Sequence, residues 1–153
     1  MPPTSTAPTL DDLLVHRMAV AGRLVRAQAD AELSEVGVAG PGCGVLLRLA
    51  GQDGLTQAEI ARRQRVEPPT MCRTVDRLVR DGLVERRPDP DDRRATRVHL
   101  TPEGRRAADA GGVVVEAIEA RAFTALDDTE RAILAALLGR VIDALAPPGS
   151  APA

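Results

Sequence analysis

LTQAEIARRQRVEPPTMCRTVDRLVRDGLVERRPDPDDRRATRVHLTPEG, Leu55 to Gly104, is the most strongly patterned part of the chain. Thr56-Gln57-Ala58-Glu59 is a capping box: a hydroxyl followed three residues later by a carboxylate satisfies two orphan amides at a helix start. It opens a two-turn helix through Arg63, with Ala58, Ile60 and Ala61 as its core-facing positions. The link Gln64-Arg65-Val66 leads to Glu67-Pro68-Pro69-Thr70. Proline is tolerated in a first helical turn because those amides lack intrahelical partners. Met71, Val75, Leu78 and Val79 carry that second helix on, and Gly82 is a natural left-handed cap. Two helices joined by a tight link, the second longer, form a helix-turn-helix. Leu83-Val84-Glu85-Arg86-Arg87 alternates as a strand does, Pro88 to Asp92 is a turn, and Ala95 to Leu100 is a second strand. A hairpin directly after a helix-turn-helix is a wing.

Helices flank this centre. Upstream, Thr9-Leu10-Asp11-Asp12 resembles a capping box, and Leu10, Leu13, Leu14, Met18, Ala21, Leu24 and Val25 keep helical spacing, predicting one helix from about Leu10 to Ser34. The glycine-rich run from Gly37 to Gly44 is a turn containing Cys43, and Val45 to Ala50 is a short apolar helix. Downstream, Thr101-Pro102-Glu103 caps a long helix weakened at Gly111 and Gly112. Asp127-Asp128-Thr129-Glu130 caps a last helix with a wide apolar stripe that includes Ile133, Leu137 and Val141. The expected fold is mainly α: a winged helix-turn-helix lobe over 37–100, flanked by a helical dimerisation domain over 10–36 and 101–146. Residues 1–9 and 147–153 read as disordered tails.

Composition narrows the function. With one Phe and no Tyr or Trp, the core must be aliphatic, which suits packed helices. The net charge of -2 is unevenly distributed. Between Asp53 and Arg106 stand 13 Arg against 10 Asp and Glu, so the middle is basic and the two ends are acidic. No apolar run reaches membrane-spanning length and no signal peptide is evident, so the expectation is a cytoplasmic chain, with its two Cys reduced and no membrane partner. His16 and His99 stand apart and no Cys/His/Asp cluster has ligand spacing, so neither a metal nor another cofactor is expected. Nothing resembles a Ser/His/Asp set, a phosphate-cradling Gly loop or paired catalytic carboxylates, so the chain does not read as an enzyme.

PPT followed by VDRL, then GLVERRPDPDDRR, then LTPEG occur in the order and spacing of the MarR family, and the stretch from Leu55 to Gly104 resembles that family's winged helix-turn-helix almost throughout. The resemblance implies an obligate homodimer. Its first and last two helices would interleave around a two-fold axis, with Leu10, Leu13, Leu14, Ile133, Leu137 and Val141 in the interface. Its two lobes would meet one palindromic operator in double-stranded DNA, most simply as a repressor released by a phenolic or anionic small molecule. A winged module used for protein–protein contact and a Cys-based redox sensor are the alternatives.

A recognition helix reads base edges from its N-terminal half. Pro69, Thr70, Cys72, Arg73 and Arg77 are the expected contacts on the second helix: Arg73 to a guanine edge or nearby phosphate, Arg77 to a phosphate, Thr70 and the first-turn amides to a phosphate. A solvated Arg face is the competing reading. Thr56, Gln57 and Arg65 are expected to add backbone contacts. By resemblance, one wing arginine enters the minor groove and another pairs with the acid of VDRL, Asp76; Arg93 is assigned to DNA and Arg94 to Asp76, or the two exchanged. Three acids at the wing tip, Asp89, Asp91 and Asp92, call for at least one internal Asp–Arg pair. Cys72 reads first as a small side chain in place of Ser or Thr, and as a redox-active thiol second. His16, with Arg17 and Arg23, could line an anion pocket between the first helix and the winged lobe, which the glycine-rich run around Cys43 could enlarge or leave poorly formed; surface charge on that helix is the competing account.

Overall fold

The structure, a computed structural model, describes residues 9–146 other than 39 and 93. The expected tails therefore lie outside the described residues, apart from Thr9, which joins a cap.

A short 3-10 turn, Leu10–Asp12, precedes helix α1, Leu14–Glu35. The predicted single helix from Leu10 is thus broken at Leu13, whose backbone is extended. The cause is local. Asp12 accepts from both the amide and the hydroxyl of Thr9, at 2.9 and 2.6 Å, which closes a tight turn. The Leu13 carbonyl then accepts the amides of His16 and Arg17 and restarts the ladder. Helix α2, Gly42–Gly51, begins earlier than its apolar run suggests, so Cys43 sits in its first turn and not in the preceding loop.

Strand β1, Leu55–Thr56, is followed by α3, Gln57–Gln64, and α4, Pro68–Arg80. Strands β2, Val84–Pro88, and β3, Thr96–Leu100, form the wing. The sheet has three strands in the order β1-β3-β2, all antiparallel, where the sequence suggested two. β1 is missed because its two residues owe their conformation to pairing with Val98 and Arg97, more than forty positions away. Thr56 serves two purposes: its extended backbone ends β1 and its side chain caps α3. Helices α5, Pro102–Ala122, and α6, Asp128–Leu145, complete the chain.

The core is aliphatic, as the composition requires. Val45, Leu46 and Leu49 of α2, Ile60 of α3, Met71 and Val75 of α4, and Leu55, Val84 and Val98 of the sheet are almost wholly buried. Each such side chain contributes about 1.5–3 kcal/mol over its exposed state. Leu33 of α1 and Ala108 of α5 join the same cluster. Ile60 and Ala61 point inward as expected, but Ala58 is exposed.

Two glycines of α5 admit neighbours a side chain would exclude. A Cβ at Gly111 would lie 3.0 Å from Cys43 Sγ of α2, so the glycines that weaken the helix also let it pack closely. A Cβ at Gly104 would overlap the Leu83 carbonyl oxygen. Helix α6 buries none of its residues within the single chain.

Candidate nucleic-acid interface

Helix α4 has two unlike faces. Met71, Thr74, Val75 and Leu78 are buried, at the spacing of one helical stripe. Thr74 resolves its polarity locally, its hydroxyl donating to the Thr70 carbonyl at 3.0 Å. The opposite face exposes Pro69, Thr70, Arg73, Asp76 and Arg77. Among the described residues Arg73 makes no hydrogen bond or ion pair, so its guanidinium is available to an outside acceptor. Arg77 leans back over the turn before α2: a Cβ at Gly42 would lie 3.4 Å from its Nη2.

Asp76 is neutralised, by a different arginine from those expected. Arg86 of β2 donates to Asp76 Oδ1 at 2.7 Å and to Gln57 Oε1 at 3.2 Å. It ties the recognition helix, the wing and the start of α3 together. Arg94 is exposed and its backbone amide donates to Asp92, so the expected Arg94–Asp76 pair is corrected to Arg86–Asp76. Arg93 lies outside the described residues. The sequence held a signal for Arg86: it is in phase with the inward-facing Val84, and a charge on that side of a strand needs a partner.

At the wing tip the expected internal pair is Asp89 with Arg97, 2.7 Å apart, the Asp89 side chain only 5% exposed. Asp89 also accepts the amides of Asp91 and Asp92, at 2.9 and 3.3 Å, and so shapes the turn. His99, isolated in sequence, has its Nδ1 3.0 Å from Asp53, and the second Asp53 oxygen accepts the Leu100 amide.

Two residues expected to contact the DNA backbone have partners within the chain. The single hydroxyl proton of Thr56 goes to Glu59 at 2.8 Å, while the oxygen accepts the Glu59 amide, so Thr56 has no proton left for a phosphate. Arg65 caps α3 in the left-handed region, and its guanidinium pairs with Asp143 of α6 at 2.6 Å. Gln57 keeps its amide NH2 as a donor, because Arg86 takes only its oxygen.

The residues proposed for one effector pocket do not meet. His16 pairs with Asp11, and Arg17 donates to the Asp11 carbonyl. Both line an open groove along α1 with Val20, Ala21 and Leu24. Cys43 is not among the residues lining that groove; it is buried against Gly111, because α2 begins early enough to carry it inward. Burial also pushes its thiol pKa up, which disfavours the reactive thiolate. Cys72 is half-buried, its Sγ 3.7 Å from Asp76 Oδ2.

A sequence model of the MarR family matches residues 37–95, the stretch that carries this helix-turn-helix and most of the wing. The HTH-type transcriptional repressor Rv2887 of Mycobacterium tuberculosis is 32% identical over 105 residues, 69% of this chain and 76% of the relative. The chain belongs to the MarR family. The uncharacterized HTH-type transcriptional regulator YwoH of Bacillus subtilis is 36% identical to this MarR-family chain over 90 residues, 59% of the chain. The chain spans 65% of the length of YwoH, just under two thirds. Among solved structures, CouR of Rhodococcus jostii bound to p-coumaroyl-CoA superposes with a TM-score of 0.80 at 28% identity, covering 88% of this chain and 95% of CouR. Rv2887 and YwoH are named as transcriptional regulators, not as enzymes. Among the described residues the chain has no helix long and apolar enough to cross a membrane and no cluster able to hold a metal ion.

Several carboxyls of the lobe are held below their usual range. The Asp91 amide, with Arg97 beside it, does this for Asp89; Arg86 for Asp76; the Thr56 amide and hydroxyl for Glu59. Partial burial alone would raise Asp53, but the Leu100 amide and His99 outweigh it. A depressed carboxyl stabilises the fold above its unfolded-state pKa, near 3.9 for Asp, and that contribution is lost as pH falls through the folded value. The chain is therefore expected to lose stability below about pH 4. Asp89→Asn should be less stable than the parent at pH 7, and the difference should close on acidification. Denaturant midpoints from pH 7 to pH 3 check this; a gap that stays constant would show that Asp89 does not act as a carboxylate.

Proposed function

We propose that the chain is a sequence-specific regulator of transcription that binds double-stranded DNA as a homodimer, acting as a repressor. The observation that carries the reading is Arg73: a guanidinium with no internal partner among the described residues, on the outer face of a helix whose inner face is locked in the core. A rigid helix presenting an uncommitted fork suits a guanine edge in the major groove. Pro69, Thr70 and Cys72 lie beside it, and Gln57, Arg77, Arg93 and Arg94 complete the contact surface.

Pairing of two chains is supported by what one chain leaves uncovered. Leu10, Leu14, Ile133 and Leu137 are between 48 and 77% exposed, and Leu13 and Val141 nearly 40%. Apolar area on this scale marks an interaction surface. A two-fold pair places two copies of α4 on one palindromic operator, whose half-sites lie about one turn, roughly 34–36 Å, apart. The effector is a small anionic or phenolic molecule, by analogy with CouR and its bound p-coumaroyl-CoA. It would act by favouring a dimer whose α4 helices have the wrong separation. The setting is the cytoplasm.

Genome-wide mapping of bound DNA tests the reading. At about 0.15 M salt the purified chain should bind the recovered duplex with a Kd of roughly 10⁻⁸ M or tighter, and a shuffled duplex about 10³-fold more weakly or worse. Equal affinity for the two would overturn it.

A further inference from the structure

We propose that Asp143 of α6 is a positioning residue for DNA binding: through its ion pair with Arg65 it sets the orientation in which α4 is presented. The inference rests on the DNA-binding reading above.

Three observations meet at Arg65. Its Nη2 lies 2.6 Å from Asp143 Oδ1, and among the described residues this is the one ion pair that joins α6 to the helix-turn-helix. Its backbone is left-handed, φ 52 and ψ 42, and it is the one non-glycine residue with positive φ among those described. Glycine takes that conformation without strain and is the common choice at a helix C-terminus; a long cationic side chain in its place makes sense if the side chain has a task. The location gives the task. The Val66 amide closes the turn by donating to the Ala61 carbonyl at 3.1 Å, and α4 begins at Pro68. A force on Arg65 therefore acts three residues from the start of the recognition helix. Asp143 stands near the end of α6, whose apolar face is the proposed dimer contact. The pair thus connects the surface that fixes the two-fold axis to the helix that must meet the groove at a set separation.

The test uses the full chain, its recovered two-half-site duplex and the isolated half-site. Asp143→Asn keeps the shape and removes the charge. It should weaken binding to the two-half-site duplex by roughly 4- to 25-fold, two pairs each worth about 2- to 5-fold, and leave half-site binding unchanged. The salt dependence should also be unchanged, because no phosphate contact is lost. Arg65→Gly, which relieves the backbone, should fold normally and show the same loss, and the double variant should be no weaker than either single. Tighter binding by Asp143→Asn with a steeper salt slope would mean that Arg65 grips phosphate and Asp143 competes with it, which overturns the proposal. Additive losses would overturn it too. If the parent chain binds no duplex specifically, the DNA-binding reading falls and takes this role with it. If the parent discriminates and Asp143→Asn is indistinguishable from it, only the positioning role falls.

Discussion

Gly104→Ala is expected to destabilise the chain by about 3–5 kcal/mol, a large part of the 5–15 kcal/mol typical of a whole domain. Alanine is the better helix former by about 1 kcal/mol, so propensity alone predicts a gain. Sterics reverse the sign. The added Cβ would overlap the Leu83 carbonyl oxygen, and that oxygen is held in place. The Thr101 amide donates to it at 3.1 Å, while the Thr101 hydroxyl, 3.2 Å away, gives its one proton to the Gly82 carbonyl at 2.7 Å and accepts the Gly104 amide at 2.9 Å. Relief would require separating the turn between α4 and β2 from the start of α5 and losing these bonds. Guanidinium melts of the two proteins check the prediction; a midpoint for Gly104→Ala equal to the parent's would show that the junction yields without cost.

The second large effect is on DNA binding. Arg73→Ala should reduce affinity for the specific duplex by about 30- to 10⁴-fold, since a bidentate arginine–guanine contact is worth about 1–3 kcal/mol and a symmetric dimer loses two. Fold stability should change little, because the guanidinium is exposed and unpaired among the described residues. The manner of the loss identifies the contact. If Arg73 reads a guanine, discrimination against a shuffled duplex collapses while the salt slope barely moves; if it grips a phosphate, all duplexes weaken together and the slope falls by about one per contact. Adding Arg93→Ala at the wing should abolish the gel shift. Specific binding that survives in both variants would refute the assignment of these residues.

What the sequence makes legible is what is local. Caps announce themselves within four residues, and Thr56 with Glu59 and Asp127 with Glu130 form the reciprocal bonds their spacing predicts. The inner stripe of α4 and the prolines at its start are local in the same sense. The errors are all matters of long range or of competing local bonds. β1 exists only because β3 pairs with it. Leu13 leaves the helix because the Thr9–Asp12 turn closes first. Cys43 faces the core and not a pocket near His16 because α2 starts at Gly42. The partner of Asp76 is an instructive case: the choice among Arg86, Arg93 and Arg94 depends on which side of β2 faces α4, a fact of tertiary packing that strand alternation only hints at. Arg65 and Asp143 stand 78 residues apart, and neither sits in a pattern that announces the other.

On the proposed function, two copies of α4, held by a symmetric pair of chains, enter successive major grooves. Hydroxyl-radical footprinting of the recovered operator, with the mass of the complex determined on the same sample, tests it most directly. Two protected segments related by a two-fold axis, centred about one helical turn apart, with two chains bound, are the expected result. A single protected segment, or one chain per duplex, would contradict it.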